Sequence, residues 1–275
     1  MFKIVSDSSC DIFELEGADF SSVPLTIVAG DREFADIKNA NVEEMVTYLK
    51  GYKGKSGSSC PSTEAWLKAF ADADEIFALT ITSGLSGSYN SACVARDMCL
   101  VDNPHKKIYI IDSLSAGPEL TLILNKLNEY NKEGLSFEEV GKKIEEYKKT
   151  TGLMFMLQSL KNLANNGRTS HAVAKIASLL GICLIGKASD EGTLEPLGKS
   201  RGIKKAISHL LELMIENGYC GKRVIISHCF NRECAEELKK KIRDLFINAE
   251  VFIQTTGILC SFYAEEGGML VGYEK

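Results

Sequence analysis

Three times in the first half of the chain an apolar strand runs into a polar loop, and that recurrence restricts the fold more than any other feature. Phe2-Lys-Ile-Val turns polar at Ser6-Asp-Ser-Ser, Glu75-Ile-Phe-Ala-Leu-Thr-Ile runs into Thr82-Ser-Gly-Leu-Ser-Gly-Ser, and Lys107-Ile-Tyr-Ile-Ile runs into Asp112-Ser-Leu-Ser-Ala-Gly. Helical patterns follow the second and third, over Tyr89–Met98 and Leu120–Tyr130. Strands with continuous apolar runs suit a sheet covered on both faces, so the reading is α/β, with a parallel, Rossmann-like N-terminal sheet. In that architecture ligands bind in the crevice beyond the carboxyl ends of the strands.

Residues 136–149 form an amphipathic helix with acids early and lysines late, which suits the helix dipole, and a boundary is placed after it. The expectation is a domain over 1–150 carrying the Ser/Gly loops and an α+β domain over 151–275. Beyond the boundary come an apolar run Leu153–Leu157, helices near Ser159–Asn165 and His171–Leu180, and strand-like Ile182–Ile185. A turn at Ser189-Asp-Glu-Gly then introduces Thr193-Leu-Glu-Pro-Leu and signals a hairpin. A helix over Ile203–Asn217, a strand Arg223–His228, a helix Arg232–Phe246, a strand from Glu250 and a Gly-rich close complete the chain.

With 275 residues, 45% of them hydrophobic, the chain has enough apolar surface for substantial cores. A net charge of −5 disfavours general binding to nucleic acid or to anionic membranes. The nine cysteines include no CxxC pair and form no metal-ligand spacing, so they read as reduced thiols of a cytoplasmic protein with no metal. The opening MFKIVSDSS is too short for a signal-peptide core, and no segment approaches the roughly 20 apolar residues of a membrane span.

Chemistry concentrates in four loops that combine hydroxyls with glycine or proline: Ser6–Ser9, Ser56–Thr63, Thr82–Ser88 and Asp112–Gly117. Hydroxyls and backbone N–H groups at helix starts make a neutral, donor-rich cradle for a carboxylate or phosphate. Helix capping alone accounts for any one of these loops, whereas four together point to a shared anion pocket. The Gly84-Leu-Ser-Gly-Ser segment is neither a nucleophile elbow nor a P-loop. A Ser-His hydrolase would have to draw on His105, His171, His209 or His228. His105 lies in a surface loop and His209 within a helix, which leaves His171 and His228 as weak candidates. Arg168 and Arg201 precede helices, where a guanidinium can pair with an anionic headgroup.

The stretches IVSDSSCDI, SSCPSTEAW, ITSGLSGSYNSA, IIDSLSAGPEL, LKNLANNGRTS and EGTLEPLGKSRGIKKAI, in this order over nearly the whole chain, resemble the DegV family of bacterial fatty-acid-binding proteins. The resemblance implies a two-domain α/β protein that buries one long-chain fatty acid between its domains and presents the carboxylate to a partner fatty acid kinase. It further implies that Ser86 hydrogen-bonds the carboxylate, with Ser58 at a position where the family usually has threonine and Ser59, Gly84 and Gly87 completing the cradle through backbone donors. Arg168 stands at the arginine of the family's Gly-Gly-Arg-Ile-Ser motif, with Asn166 and Thr169 as replacements, and Arg201 at a basic position before a helix. Tyr263 falls where the family commonly places a histidine, and Glu266 where it places a proline. A phenol hydrogen-bonds a carboxylate but supplies neither the cation nor the base that imidazole would.

On this reading an apolar tunnel holds the acyl chain and no cofactor is required, with Leu153–Leu157 and Leu179–Ile185 as candidate walls. The alternative is an acyl- or phosphoryl-transfer enzyme using Ser86 as nucleophile, which needs a base that the Ser/Gly loops do not contain. A nucleotide-binding domain would need a phosphate fingerprint that the sequence lacks.

Overall fold

The computed structural model describes residues 1–177 and 181–275. Leu179 and Leu180, part of the expected helix from His171 and of the second candidate tunnel wall, lie outside the described residues. The N-terminal half runs β1 (Lys3–Asp7), a 3-10 turn (Ser8–Cys10), β2 (Phe20–Val23), β3 (Thr26–Ala29), β4 (Arg32–Ala35), α1 (Val42–Gly51), β5 (Ser56–Ser59) and α2 (Thr63–Phe70). It continues through β6 (Glu75–Thr80), α3 (Ser88–Asp102), β7 (Lys107–Asp112), α4 (Pro118–Glu133) and α5 (Phe137–Lys148). β2, β1, β6 and β7 pair in that order, all parallel, so the parallel α/β expectation holds for the strands that end in the Ser/Gly loops.

Where a loop was expected over Ser56–Ser59, the structure has strand β5, paired antiparallel with β3, which pairs in turn with β4. Serine and glycine carry little strand preference of their own, and here cross-strand pairing overrides it. This small third sheet positions Ser58 opposite Ile27.

The second half runs β8 (Thr151–Leu157), α6 (Lys161–Asn165), α7 (His171–Ala177), β9 (Ile182–Ala188), β10 (Leu194–Arg201) and α8 (Ile203–Glu216). β11 (Val224–His228), α9 (Arg232–Leu245), β12 (Val251–Thr255), α10 (Ile258–Ala264) and β13 (Met269–Glu274) follow. Their strands make a six-stranded mixed sheet in the order β10-β9-β8-β13-β11-β12, antiparallel except for β11 against β12. The turn between β9 and β10 is closed by the Ser189 N–H to the Thr193 carbonyl at 2.8 Å, with Gly192 at φ +73°.

Helix α4 packs against β1 and β6 of the first sheet and β8, β11 and β13 of the second. Its run Pro118–Leu124 is buried without interruption, as required of a helix covered on both sides. Strand β8 is likewise buried on both faces: Met154 and Met156 join the core under α8, while Phe155 and Leu157 join a separate cluster with Leu160 and Leu163. Period-2 alternation thus gives one strand two tasks. The nine cysteines are all unpaired, and no helix among the described residues is long and apolar enough to cross a membrane.

A candidate acyl-binding cavity with a polar end

Between the two larger sheets lies a cavity with about 690 Å³ of void, its open mouth included. Alternate residues of β8, Leu153, Phe155 and Leu157, form one wall. Leu259, Cys260, Tyr263 and Ala264 of α10 form another, closed by Leu270 from β13 and Leu194 from β10. Ile81, Leu85 and Ser86 enter from the loop after β6, and Ala116 from the loop after β7. The carboxyl ends of parallel strands therefore face the cavity, as this class of sheet requires. Of the expected walls, Leu153–Leu157 contributes its odd-numbered residues, whereas Cys183 and Ile185 belong to the core under α8.

Polar side chains enter this lining at Ser58, Ser86 and Arg168, together with the hydroxyl of Tyr263. The Ser58 and Tyr263 hydroxyls hydrogen-bond each other at 2.7 Å, joining β5 to α10 across the chain. Ser86 lies just before α3 and its Oγ accepts the Ser88 N–H at 3.3 Å. That places it at the positive end of a 15-residue helix whose N-cap, Gly87, offers no side chain to satisfy the first turn. Arg168 donates through Nε to the Leu85 carbonyl at 3.1 Å and through Nη1 to the Asn166 carbonyl, so the guanidinium both braces the Ser86 loop and borders the cavity. A carboxylate set here would meet hydroxyl donors, a helix N-terminus and a cation, with apolar walls beyond.

Ser59, Gly84 and Gly87 do not line the cavity. The Ser59 hydroxyl turns to the Cys60 carbonyl at 3.3 Å, because alternation along β5 sends it to the face opposite Ser58. The Gly84 N–H is already committed to Thr82 Oγ1 at 3.1 Å, and Gly84 lies under the Glu191 and Gly192 carbonyls. Gly87 borders Cys60. Arg201 ends β10 on the exposed surface.

Two of the four hydroxyl loops serve a different purpose. Ser6–Ser9 is fully buried around Asp7, whose carboxylate accepts the Ser9 hydroxyl at 2.5 Å, the Ser88 hydroxyl at 2.6 Å and the Ile81 N–H at 2.9 Å. Burial raises the Asp7 pKa against the opposing effect of these donors. Asp112 accepts the Ser83 and Leu114 N–H groups, each at 3.1 Å. Both acids therefore fix the Thr82–Ser88 loop from behind.

The structure adds a pair that pattern reading missed. Asp11 Oδ1 accepts the Gly257 N–H at 2.8 Å, and Asp36 accepts the Ile258 and Leu259 N–H groups at 2.7 and 3.2 Å, so two buried carboxyls cap the start of α10. Burial pushes Asp11 up to about 8 and Asp36 up to about 6. Asp11 in IVSDSSCDI was in plain view, but nothing local marks an acid whose partner lies 246 residues away.

No histidine lines the cavity among the described residues. His105 is exposed beside Asp74 at 3.3 Å, and His209 Nδ1 meets the Ser200 hydroxyl at 2.9 Å. His228 is buried with Nδ1 accepting the Asn231 N–H at 3.3 Å, and His171 opens α7 on the surface.

Comparison with known proteins agrees with this architecture along its whole length. The family model described as "Uncharacterised protein, DegV family" matches residues 1–275. A DegV domain-containing protein of Streptococcus pneumoniae strain R6 is 43% identical over 277 residues, covering 99% of each chain. A Eubacterium eligens DegV family protein, solved loaded with heptadecanoic acid, superposes with TM-score 0.98 at 43% identity over 100% of both chains. The Streptococcus pneumoniae Fatty Acid Kinase (Fak) B3 protein, loaded with linoleic acid, superposes with the same score and identity over 100% of this chain and 99% of its own. Since the match reaches from the first residue to the last in sequence and in three dimensions, the chain belongs to the DegV family.

Proposed function

We propose that this protein is a fatty-acid carrier of the cytoplasm that holds one long-chain fatty acid between an N-terminal domain, residues 1–150, and a C-terminal domain, residues 151–275. Ser86, Ser58, Tyr263 and Arg168 hold the carboxylate, and a partner fatty acid kinase phosphorylates it there. The observation that carries this reading is the cavity itself: leucines and Phe155 along its length, with hydroxyls and a guanidinium in the same lining. Relatives at 43% identity loaded with heptadecanoic and linoleic acids support the ligand class.

Burial of a methylene contributes about 0.8 kcal/mol, so sixteen give roughly 13 kcal/mol before the cost of ordering the chain and of lost translation is subtracted. Submicromolar affinity is the expected net. In the kinase step a carboxylate oxygen attacks the terminal phosphorus of a nucleoside triphosphate, the bond to the bridging oxygen breaks, and the diphosphate leaves with that electron pair. On this reading the carrier supplies position rather than a base.

Native mass spectrometry of protein purified from a bacterial host, with organic extraction of the ligand, tests the reading. A stoichiometric fatty acid released on denaturation, and lost or weakened in Ser86→Ala, is the expected result. A clean apo mass with no uptake on incubation would overturn it and turn attention to Ser86 as a nucleophile.

A further inference from the structure

A second, wider depression adjoins the polar end of the acyl cavity from outside. Its void is about 2430 Å³ against about 690 Å³ for the cavity, both counted with their mouths. It lies between the α1–β5 segment on one side and α6 with the start of α7 on the other, over a floor that includes the half-buried Val46 and Leu49. Gly57 and Phe262 line this cleft, and their chain neighbours Ser58 and Tyr263 line the acyl cavity.

The charge of the cleft is opposite to that of the molecule. Lys50, Lys53, Lys55 and Lys161 line it against Glu265 and Glu266, an excess of two positive charges in a chain of net −5. Both acids are engaged, Glu266 in an ion pair with Lys50 and Glu265 as acceptor of the Asn162 N–H at 3.1 Å. The ammonium groups of Lys53, Lys55 and Lys161 form no ion pair or hydrogen bond among the described residues, Lys161 bonding only through its backbone N–H to the Ser159 hydroxyl at 3.2 Å. An apolar floor ringed by unpaired lysines suits an acidic segment with an apolar anchor, and its charge would steer a partner that diffuses toward the headgroup.

We propose that this cleft is a docking surface for a protruding acidic segment of the protein that acts on the headgroup, which rests on the kinase reading above. The lysines confer affinity and salt dependence, while the acyl cavity alone retains the lipid. The test uses the loaded full chain and the Streptococcus pneumoniae fatty acid kinase, with binding, acyl-phosphate formation and fatty-acid content measured separately. Lys53→Glu/Lys55→Glu/Lys161→Glu is expected to stay fully loaded, to bind the kinase at least tenfold more weakly and to lose most of the salt dependence. The Lys→Gln triple variant is expected to fall between, and Lys142→Glu/Lys143→Glu/Lys240→Glu, on α5 and α9, to behave as wild type. Unchanged kinase binding by both cleft variants would overturn the docking surface and leave the carrier reading intact. Loaded wild type that the kinase neither binds nor phosphorylates would overturn the kinase reading and this surface with it. Saturable binding of ATP alone that the glutamate variant abolishes would make the cleft a nucleotide site instead.

Discussion

Tyr263 shows what one side chain can and cannot contribute at the polar end of the cavity. Its hydroxyl meets Ser58 at 2.7 Å, and its ring packs edge-on to Phe262 with centroids 4.8 Å apart. Tyr263→Phe keeps the ring contact and removes only the hydrogen bond, whose net worth is about 0.5–1.5 kcal/mol. Fatty-acid affinity measured by titration calorimetry should therefore fall about two- to tenfold with the thermal midpoint little changed; an unaltered affinity would show that the phenol does not reach the carboxylate. Ser58, Ser86 and Arg168 sit in segments that stand out in the sequence by their composition, Tyr263 came only through the family resemblance, and all four line the cavity. Ser59, Gly84 and Gly87, from the same motifs, are not in that lining. Motif membership does not say which way an alternating strand turns a hydroxyl, or whether Thr82 has already taken the Gly84 N–H.

At the scale of the element, α10 depends on acids that no local pattern reveals. Seven residues, six of them buried, offer no amphipathic period to read, and the N-cap, Gly257, offers no side-chain acceptor. Asp11 and Asp36 do that work from the other end of the chain, and a Cβ on Gly257 would lie 2.7 Å from Asp36 Oδ1 and 3.3 Å from Asp11 Oδ1. Because burial raises both pKa values, to about 8 and about 6, each acid favours the folded state most when protonated. Their contribution is full below the ordinary carboxylate range near pH 4 and is lost as pH rises through 6 and then 8, opposite to a salt-bridged aspartate. Asp11→Asn isolates the effect: its Oδ1 still accepts the Gly257 N–H, and the amide replaces Oδ2, a buried atom with no hydrogen-bond partner. The variant should match wild type in urea at pH 5 and exceed it at pH 8.5. A variant weaker than wild type at pH 8.5 would mean that the carboxylate is held charged and is needed so.

At the scale of the molecule, the parallel sheet was readable because its strands are local and apolar, whereas the joints between sheets were not, since they pair residues far apart in the chain, 83 positions for Arg168 on Leu85 and 110 for Thr82 on Gly192. One such joint lies over the cradle. Thr82 is buried and donates from Oγ1 to the Gly192 carbonyl at 2.9 Å while accepting the Gly84 N–H at 3.1 Å, so the β9–β10 turn is fastened directly to the Ser86 loop. Gly192 has no alternative at this point: its φ is +73°, and a Cβ would stand 2.0 Å from Thr82 Oγ1. The fastening links two walls of the cavity, so it should govern exchange of a fatty acid lodged there more than its affinity. Thr82→Val has nearly the same shape but leaves the Gly84 N–H and the Gly192 carbonyl without their partner, at a cost of about 1–3 kcal/mol. Displacement of a fluorescent fatty acid by excess palmitate, followed by stopped flow, should be several-fold faster in Thr82→Val, and Thr82→Ser should restore the wild-type rate. An exchange rate unmoved by Thr82→Val, with stability lowered as expected, would place the opening elsewhere and turn attention to the other braces on the same loop, Arg168 on the Leu85 carbonyl and Asp112 on the Ser83 N–H.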